Sequence, residues 1–308
     1  MGILKNTQLV RQKSKEHGFD FCGISKAEYL DEHAQDLENW LNNNYNGKMA
    51  YMSNHFDKRL DPTKLVPGAK SVVSFIYNYF PKNDLNNVDL KIARYAYGCD
   101  YHFVIKDKLH LLLNELRDEI GDINGRVFVD SAPVMERQWA ARSGLGWLGK
   151  NTLLLNKSMG SYFFLAELIT DLELEPDGPV KDHCGNCTKC MDECPTDAFP
   201  KQGVLDANKC ISYATIELKE NIPAEFEGKM ADWVFGCDIC QEVCPWNRFA
   251  KPHIEPLFDP PEELLKISEW EEITEEVFKN LFRESAVLRA GYQKLKKNIN
   301  SAKKQKDQ

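Results

Sequence analysis

Eight of the chain's ten cysteines lie between residues 184 and 244, in a pattern suited to metal clusters. The run Cys184-x2-Cys187-x2-Cys190-x3-Cys194-Pro195 offers three closely spaced thiols, then a fourth after a longer spacer and before a proline. In such a run three thiolates hold three irons of one [4Fe–4S] cubane, and the fourth serves a second cubane. Cys237-x2-Cys240-x3-Cys244-Pro245 repeats the end of the pattern. Cross-pairing the two runs predicts one cluster on Cys184, Cys187, Cys190 and Cys244, and a second on Cys194, Cys237 and Cys240. Cys210 is the obvious fourth ligand of the second, displaced upstream by an insertion. Structural zinc also uses paired Cys-x2-Cys motifs, but it has no use for the longer run with a proline after each last cysteine. Cys22, in an apolar stretch, reads as a small buried hydrophobe, and Cys99 has no assignment.

Two cubanes move electrons but do no substrate chemistry, so the acceptor must be sought elsewhere in the chain. The densest candidate stretch is VFVDSAPVMERQWAARSGLGWLGKNTLLLN, residues 127–156. Asp130 ends an apolar run, and Ser131 and Pro133 are predicted to open a helix running through Glu136 and Ala140. A carboxylate at that strand end is either a helix cap or a proton donor, the second if burial against a large apolar cofactor raises its pKa. Gly144, Gly146 and Gly149 form a loop where backbone can approach a ligand, with Lys150, Asn151 and Ser158 as polar neighbours. GLGWLG lacks the strand-to-helix context and later acid of a dinucleotide site. Each polar group has an ordinary alternative in satisfying turn backbone.

The elements that must position these groups follow from periodicity. Leu4 to His17 has helical spacing and stops at Gly18; FDFCGIS then reads as a strand. SVVSFIYNYF (71–80) and SYFFLAELIT (161–170) are runs of buried-strand length and composition. Val104, Ile105, Leu109, Leu112, Leu116 and Ile120 mark one face of a helix over Tyr101 to Ile120, followed by a turn and the strand RVFVD (126–130). From Pro176 to residue 250 Cys, Pro and Gly dominate, which suits a module held by metal more than by core area. Beyond Pro261, EELLKISEW, EEVFKNLFRES and AVLRAGYQKLKKNI are three candidate helices. The expected class is therefore α+β, with an α/β catalytic domain over 1–175, a two-cluster module over 176–250 and a helical segment with a basic tail over 251–308.

The chain has 308 residues, 43% hydrophobic and 28% charged, as expected of a globular protein. Its N-terminus lacks the apolar stretch of a signal peptide, and no run approaches the ~20 apolar residues that span a bilayer. A cytoplasmic protein without a membrane partner is expected, and in that compartment the cysteines are not a disulfide framework. A net charge of −8 excludes a wholly basic nucleic-acid-binding surface. It leaves room for a local patch such as Arg289, Lys294, Lys296, Lys297, Lys303, Lys304 and Lys306.

Taken together, VDSAPVMERQWAARSGLGWLGKNTLLL, RYAYGCDYH (94–102), GSYFFLAEL, the two cysteine runs with Cys210 between them and SAVLRAGYQKLKKNI resemble the epoxyqueuosine reductase family over most of the chain. The resemblance implies a cobalamin, two [4Fe–4S] clusters and a nitroreductase-like or reductive-dehalogenase-like cobalamin domain followed by a bacterial-ferredoxin-like module. It also implies reduction of the epoxide of a modified tRNA wobble base to a cyclopentene. By position, Asp130 matches the family's proton donor, and Tyr101, His102, Ser131, Lys150, Asn151 and Ser158 fall in segments that line the corrin pocket. Electrons would come from an external donor such as a flavodoxin or ferredoxin system, and the protein is expected to act as a monomer.

Asp100-Tyr101-His102 begins the D-x-H-x-x-G motif of cobalt-ligating histidines, but Ile105 stands where the glycine belongs. His102 is therefore expected to be a polar residue near a helix start and not a cobalt ligand. The basic C-terminal helix and tail are expected to help grip tRNA. Family members that are longer append a helical-repeat domain after this point. Two other readings remain at this stage: a reductive-dehalogenase-like enzyme acting on a small molecule, and a non-catalytic iron–sulfur electron carrier.

Overall fold

The two long apolar runs pair at the centre of the molecule. The computed structural model describes residues 2–85, 89–265 and 270–303. Four strands, β1 (Phe21–Lys26), β2 (Ser71–Asn78), β3 (Gly125–Phe128) and β4 (Phe163–Thr170), form one sheet in the order β1-β2-β4-β3. Every pairing is antiparallel, with Ser74 opposite Glu167 and Phe128 opposite the same Glu167. Both faces of β2 and β4 are covered, which explains why their sequences run apolar without alternation.

One face carries the helices Ile3–Glu16 and Tyr101–Ile120, the second of which has the bounds that its periodicity predicts. Val104, Ile105, Leu109, Leu112 and Leu116 pack there against Val73, Phe75, Phe164 and Leu168. Each such leucine contributes about 1.5–3 kcal/mol by leaving water. The opposite face is covered by the short helix Glu136–Arg142, through Trp139 and Ala140. That helix starts later than the sequence suggests. Ser131 and Pro133 lie in an irregular turn, and Asp130, at φ 53, occupies the left-handed region and caps nothing.

The cysteine-rich stretch is not packed by itself. Leu90, Ile92, Tyr97, Ile211, Trp233, Phe235, Phe278, Phe282, Leu295 and Ile299 share one apolar cluster drawn from three parts of the chain. Lys91–Ile92 pairs in parallel with Trp233–Phe235. Of the three predicted C-terminal helices, Glu262–Leu265 and Glu275–Leu281 are short, and Tyr292–Lys303 is preceded by a 3-10 turn over Ala286–Ala290. Residues 266–269, part of the first, lie outside the described residues.

The last helix departs most from expectation. Lys294, read as part of a basic grip, is 6% exposed and donates its ammonium to Ala214 O at 2.6 Å. Asn298, fully buried, donates to both Thr215 O and Val234 O at 2.8 Å. This face of the helix thus fastens the segment around Cys210 to the strand preceding Cys237. Of the expected basic tail, Lys304 and Lys306 lie outside the described residues. Asn298→Ala leaves two buried carbonyls unpaired, at roughly 1–3 kcal/mol each. Denaturant melts should show that loss, with iron released at lower denaturant than in the unaltered protein.

Candidate active site

Two short helices, Lys189–Asp192 and Ile239–Glu242, pack against each other, and the cysteine runs wrap around their ends. The thiols gather in two sets. Burial, then the neighbouring Cys244, Cys184 and Cys187, pushes the Cys190 thiol up to about 11. Cys237 is raised by burial and then by Cys210 and Cys194, and Cys240 by burial and then by Cys237 and Cys210. The donor sets are thus all sulfur, and crowding makes them costly to ionise unless iron takes the thiolates. They suit cubanes.

Hydrogen bonds to sulfur come from Trp147 Nε1 to Cys184, at 3.4 Å, and from the Ala198 amide to Cys194, at 3.4 Å. A cavity of about 190 Å³ beside the first set is lined by Lys150, Asn151, Cys184, Cys187, Cys190, Cys244 and Trp246 among others. Cys187 is exposed, so this set reaches the surface.

Glycines matter at two places here. At Gly236, φ 70, an added Cβ would lie 2.5 Å from that of Ala93, so the chain can enter the Cys237 turn only without a side chain. At Gly146 a Cβ would meet Leu155 O at 2.1 Å. The GLGWLG glycines therefore serve close packing of protein on protein, not the approach to a ligand that the sequence suggests.

The second constellation surrounds Asp130. Its Oδ2 accepts from Tyr101 Oη at 2.8 Å and lies 3.2 Å from His102 Nε2. His102 Nδ1 lies 2.6 Å from Asp100 Oδ1, and Asp100 also caps the helix by accepting from the His102 amide. Arg289, from the C-terminal segment, sits 3.3 Å from Asp100 and 3.2 Å from the imidazole. Tyr101 stacks between His102 and Phe164, with centroids at 4.1 and 4.0 Å.

Electrostatics divide the protons. Burial would raise Asp130, but hydrogen bonds from His102 and Tyr101 hold its carboxyl below the usual range. Burial would lower His102, yet Asp100 and Asp130 outweigh it and lift the imidazole to about 9. The mobile proton therefore rests on His102 beside an ionised Asp130. The expectation that burial would raise Asp130 is reversed by a histidine that the sequence reading treated as a bystander.

Asp130 is 59% exposed at its side chain, although protein surrounds it closely enough for burial to be the largest influence on its charge. Asp130 is thus open to solvent yet crowded by protein. Distant segments come near it: the charges of Glu217 and Asp130 both act on the hydroxyls of Tyr51 and Tyr95. Tyr95 lies edge-on to Tyr101 at 6.1 Å and near Phe235 at 6.1 Å, two residues before Cys237. Tyr95 thus lies between Tyr101 and the segment that enters the second thiol set.

Of the predicted corrin-side residues, Tyr101, His102, Asp130 and Ser131 come together. Lys150 and Asn151 face the cysteine module, donating to Gly185 O at 2.7 Å and Cys240 O at 3.2 Å. Ser158 Oγ donates to Asn156 Oδ1 at 2.8 Å within a turn. Glu136 and Glu167 have no role in the sequence reading, although Glu136 lies within the stretch it selects, and Arg289, expected in a basic patch for tRNA, instead contacts Asp100 and His102. A glutamate centred in the apolar run SYFFLAELIT was the available signal for Glu167.

An exposed carboxylate paired with an imidazole, beside a module whose eight cysteines fall in two sets, is the make-up of an iron–sulfur oxidoreductase whose reaction site lies outside the cluster module. Two family models match: "Epoxyqueuosine reductase QueG, DUF1730" over residues 59–131 and "4Fe-4S double cluster binding domain" over residues 183–247. The chain is 61% identical to the epoxyqueuosine reductase of Cyclobacterium marinum, covering 98% of each, and 39% identical to that of Escherichia coli, covering 95% of this chain and 79% of the other.

A solved epoxyqueuosine reductase with an epoxyqueuosine-modified tRNA stem loop superposes with a TM-score of 0.88 at 31% identity, covering 98% of this chain and 81% of the other. A B12-dependent reductive dehalogenase shares the fold at 16% identity and TM-score 0.50, covering 97% of this chain and 38% of the other. The chain belongs to the epoxyqueuosine reductase family.

Two measurements follow. Cys210→Ala should lose about half the iron of the reconstituted protein, if Cys210 completes the second quartet; full retention would assign another ligand. Because His102 is raised from 6.5 to about 9, the stability it contributes is complete below its ordinary value and disappears as pH rises through about 9. His102→Gln should flatten that decline in thermal melts.

Proposed function

We propose that this chain reduces the epoxide of epoxyqueuosine at the wobble position of tRNA to the alkene of queuosine, with Asp130 delivering a proton that His102 stores. The observation that carries this reading is the Asp130–His102–Asp100 chain, near which Tyr95 leads from Tyr101 to the Cys237 side of the cluster module. Electrons from an external flavodoxin- or ferredoxin-type donor enter at the set that includes exposed Cys187 and leave from the set containing Cys194, Cys210, Cys237 and Cys240.

The exposed Asp130 carboxylate, with the hydroxyl of Tyr101 and the imidazole of His102 beside it, gives a polar site next to which a cobalamin would supply a cobalt centre able to deliver an electron pair to carbon. Tyr101, His102, Asp130 and Ser131 are its nearest protein neighbours in this reading, whereas Lys150 and Asn151 brace the cluster loops. His102 is turned between two carboxylates, which leaves it a proton store and not a metal ligand.

As the epoxide opens, oxygen gains negative charge and needs a proton at once. Asp130 relays it: the proton held on His102, hydrogen-bonded to the same carboxyl, passes through Asp130 to the oxygen. Tyr101 fixes the carboxyl's direction through its hydroxyl.

The wobble base must leave the anticodon stack to reach this site. Arg289 bridges the C-terminal segment to the site, and exposed Arg283, Arg289 and Lys297 offer phosphate contacts in place of buried Lys294. No described helix is long and apolar enough to cross a membrane. We place the enzyme in the cytoplasm with its tRNA, acting as a monomer.

Asp130→Asn should keep its iron and its affinity for an epoxyqueuosine stem loop while turnover falls about 10²–10⁴-fold, the usual share of a general acid. Anaerobic conversion of the stem loop, followed by nucleoside analysis, measures it. Undiminished turnover would remove Asp130 from the reaction.

A further inference from the structure

Behind the Asp130 turn lies a buried carboxyl group that the mechanism above does not use. Glu167 stands mid-strand on β4, 0% exposed, on the face covered by the helix Glu136–Arg142. Among the described residues neither of its oxygens has a hydrogen-bond partner within ordinary geometry, and the same holds for the hydroxyl of buried Ser74 directly across the sheet. A charged carboxylate in that position would be unpaired and unsolvated. Its main acidic companion is Glu136, whose carboxyl faces it from the covering helix and acts on it ahead of Asp130. Glu136 in turn touches the reaction site: its Oε1 accepts the Asp130 amide at 2.5 Å. From Glu167 the carboxyls therefore lead through Glu136 to the Asp130 turn.

The chemistry gives these carboxyls a purpose, on the assumption that the proposed epoxide reduction is right. Converting an epoxide to an alkene breaks both carbon–oxygen bonds, forms the second carbon–carbon bond and releases the oxygen as water. The balance is two electrons and two protons. The electrons arrive through the clusters, but the Asp130–His102 pair stores one proton, and a site filled by cofactor and base admits little water to replace it.

We propose that Glu136 and Glu167 form a shared-proton carboxyl pair that reloads Asp130 for the second protonation. The first proton, held on His102, passes through ionised Asp130 to the oxygen as the first carbon–oxygen bond breaks. The second follows the same exit as the remaining carbon–oxygen bond breaks and water leaves, with Glu136 giving its proton to Asp130. The pair is then left with one negative charge until solvent refills it. Glu136 and Glu167 act through Asp130 and are positioning and storage residues.

Their charge states agree with the geometry. Burial, then the facing Asp130 carboxylate, pushes Glu136 up to about 8, while Glu167 is raised well above the usual range by burial and then by Glu136. The charged groups that face the pair are Asp130, which opposes its ionisation, and His102 and Arg137, whose cations favour it. Below about pH 8 the pair retains its proton; above it the store empties.

The test compares the unaltered protein with Glu136→Gln and Glu167→Gln. Infrared spectra, which need neither tRNA nor cobalamin, should show a protonated-carboxyl band that persists to about pH 8 and is lost in the variants. In anaerobic stem-loop conversion, the unaltered enzyme should slow as pH rises through about 8. Glu136→Gln should lower kcat about tenfold or more, leave KM unchanged and erase that alkaline limb. Unchanged iron content and melting temperature in the variants exclude misfolding as the cause. A missing carboxyl band, or a Glu136→Gln enzyme with ordinary rate and pH profile, overturns the proposal. Conversion by the unaltered enzyme reports separately on the epoxide reading; its absence would overturn both.

Discussion

Desolvation of acidic groups is the constraint on which this molecule depends. Five thiols of the cysteine module, Cys190, Cys210, Cys237, Cys240 and Cys244, and several carboxyls are held where their charged forms are poorly solvated, so each must find a metal, a cation or a proton. The quartets illustrate the first solution: Cys190, Cys237 and Cys240 are all raised by burial before any neighbour acts, so iron and sulfide are the cheaper partners. The fold supports this by sharing the apolar core around Ile211, Trp233 and Phe235 with Leu90, Ile92 and the last helix. A module of that size is too small to hold the thiols together by core burial alone.

Asp130 shows the second solution. It is ionised because His102 is cationic, and His102 is cationic because Asp100 binds its other nitrogen. The same Asp100 caps the helix that carries both Tyr101 and His102. Helix geometry and acid–base state are therefore set by one side chain. Glu167 shows the third: in a sheet interior with no cation within hydrogen-bonding distance among the described residues, the carboxyl can persist only by keeping a proton.

Much of this was legible in the sequence. Spacing alone separated the cysteines into two sets, because cluster chemistry imposes short-range order on the chain. The 101–120 helix and the strands around residues 71–78 and 163–170 were legible because burial of one or both faces leaves a periodic or continuous apolar trace. What escaped was long-range. Lys294 reads as surface charge until the structure shows its ammonium on Ala214 O, and nothing in local composition distinguishes it from exposed Lys297. His102 was judged by a motif in which it binds metal, so the missing glycine demoted it; its partner Asp130 is 28 residues away. The 131–135 segment was misread as helix because Ser and Pro are common at helix starts, whereas the left-handed Asp130 turn is held by Glu136 from beyond it.

The arrangement separates the two currents that an epoxide reduction requires. In the proposed reaction electrons approach from the sulfur side, past Gly236 and Tyr95, whose hydroxyl is raised far above its usual range and so keeps its proton at neutral pH. Protons approach from the opposite side, through carboxyls and an imidazole that cannot carry electrons. Both routes end where Tyr101 stacks on Phe164 and binds Asp130. Keeping them apart matters because a reduced metal centre that meets a mobile acid too early loses its electrons to protons. A turn that presents its acid only on one face of the site, with the reserve protons buried behind it, limits that loss while the substrate is being seated.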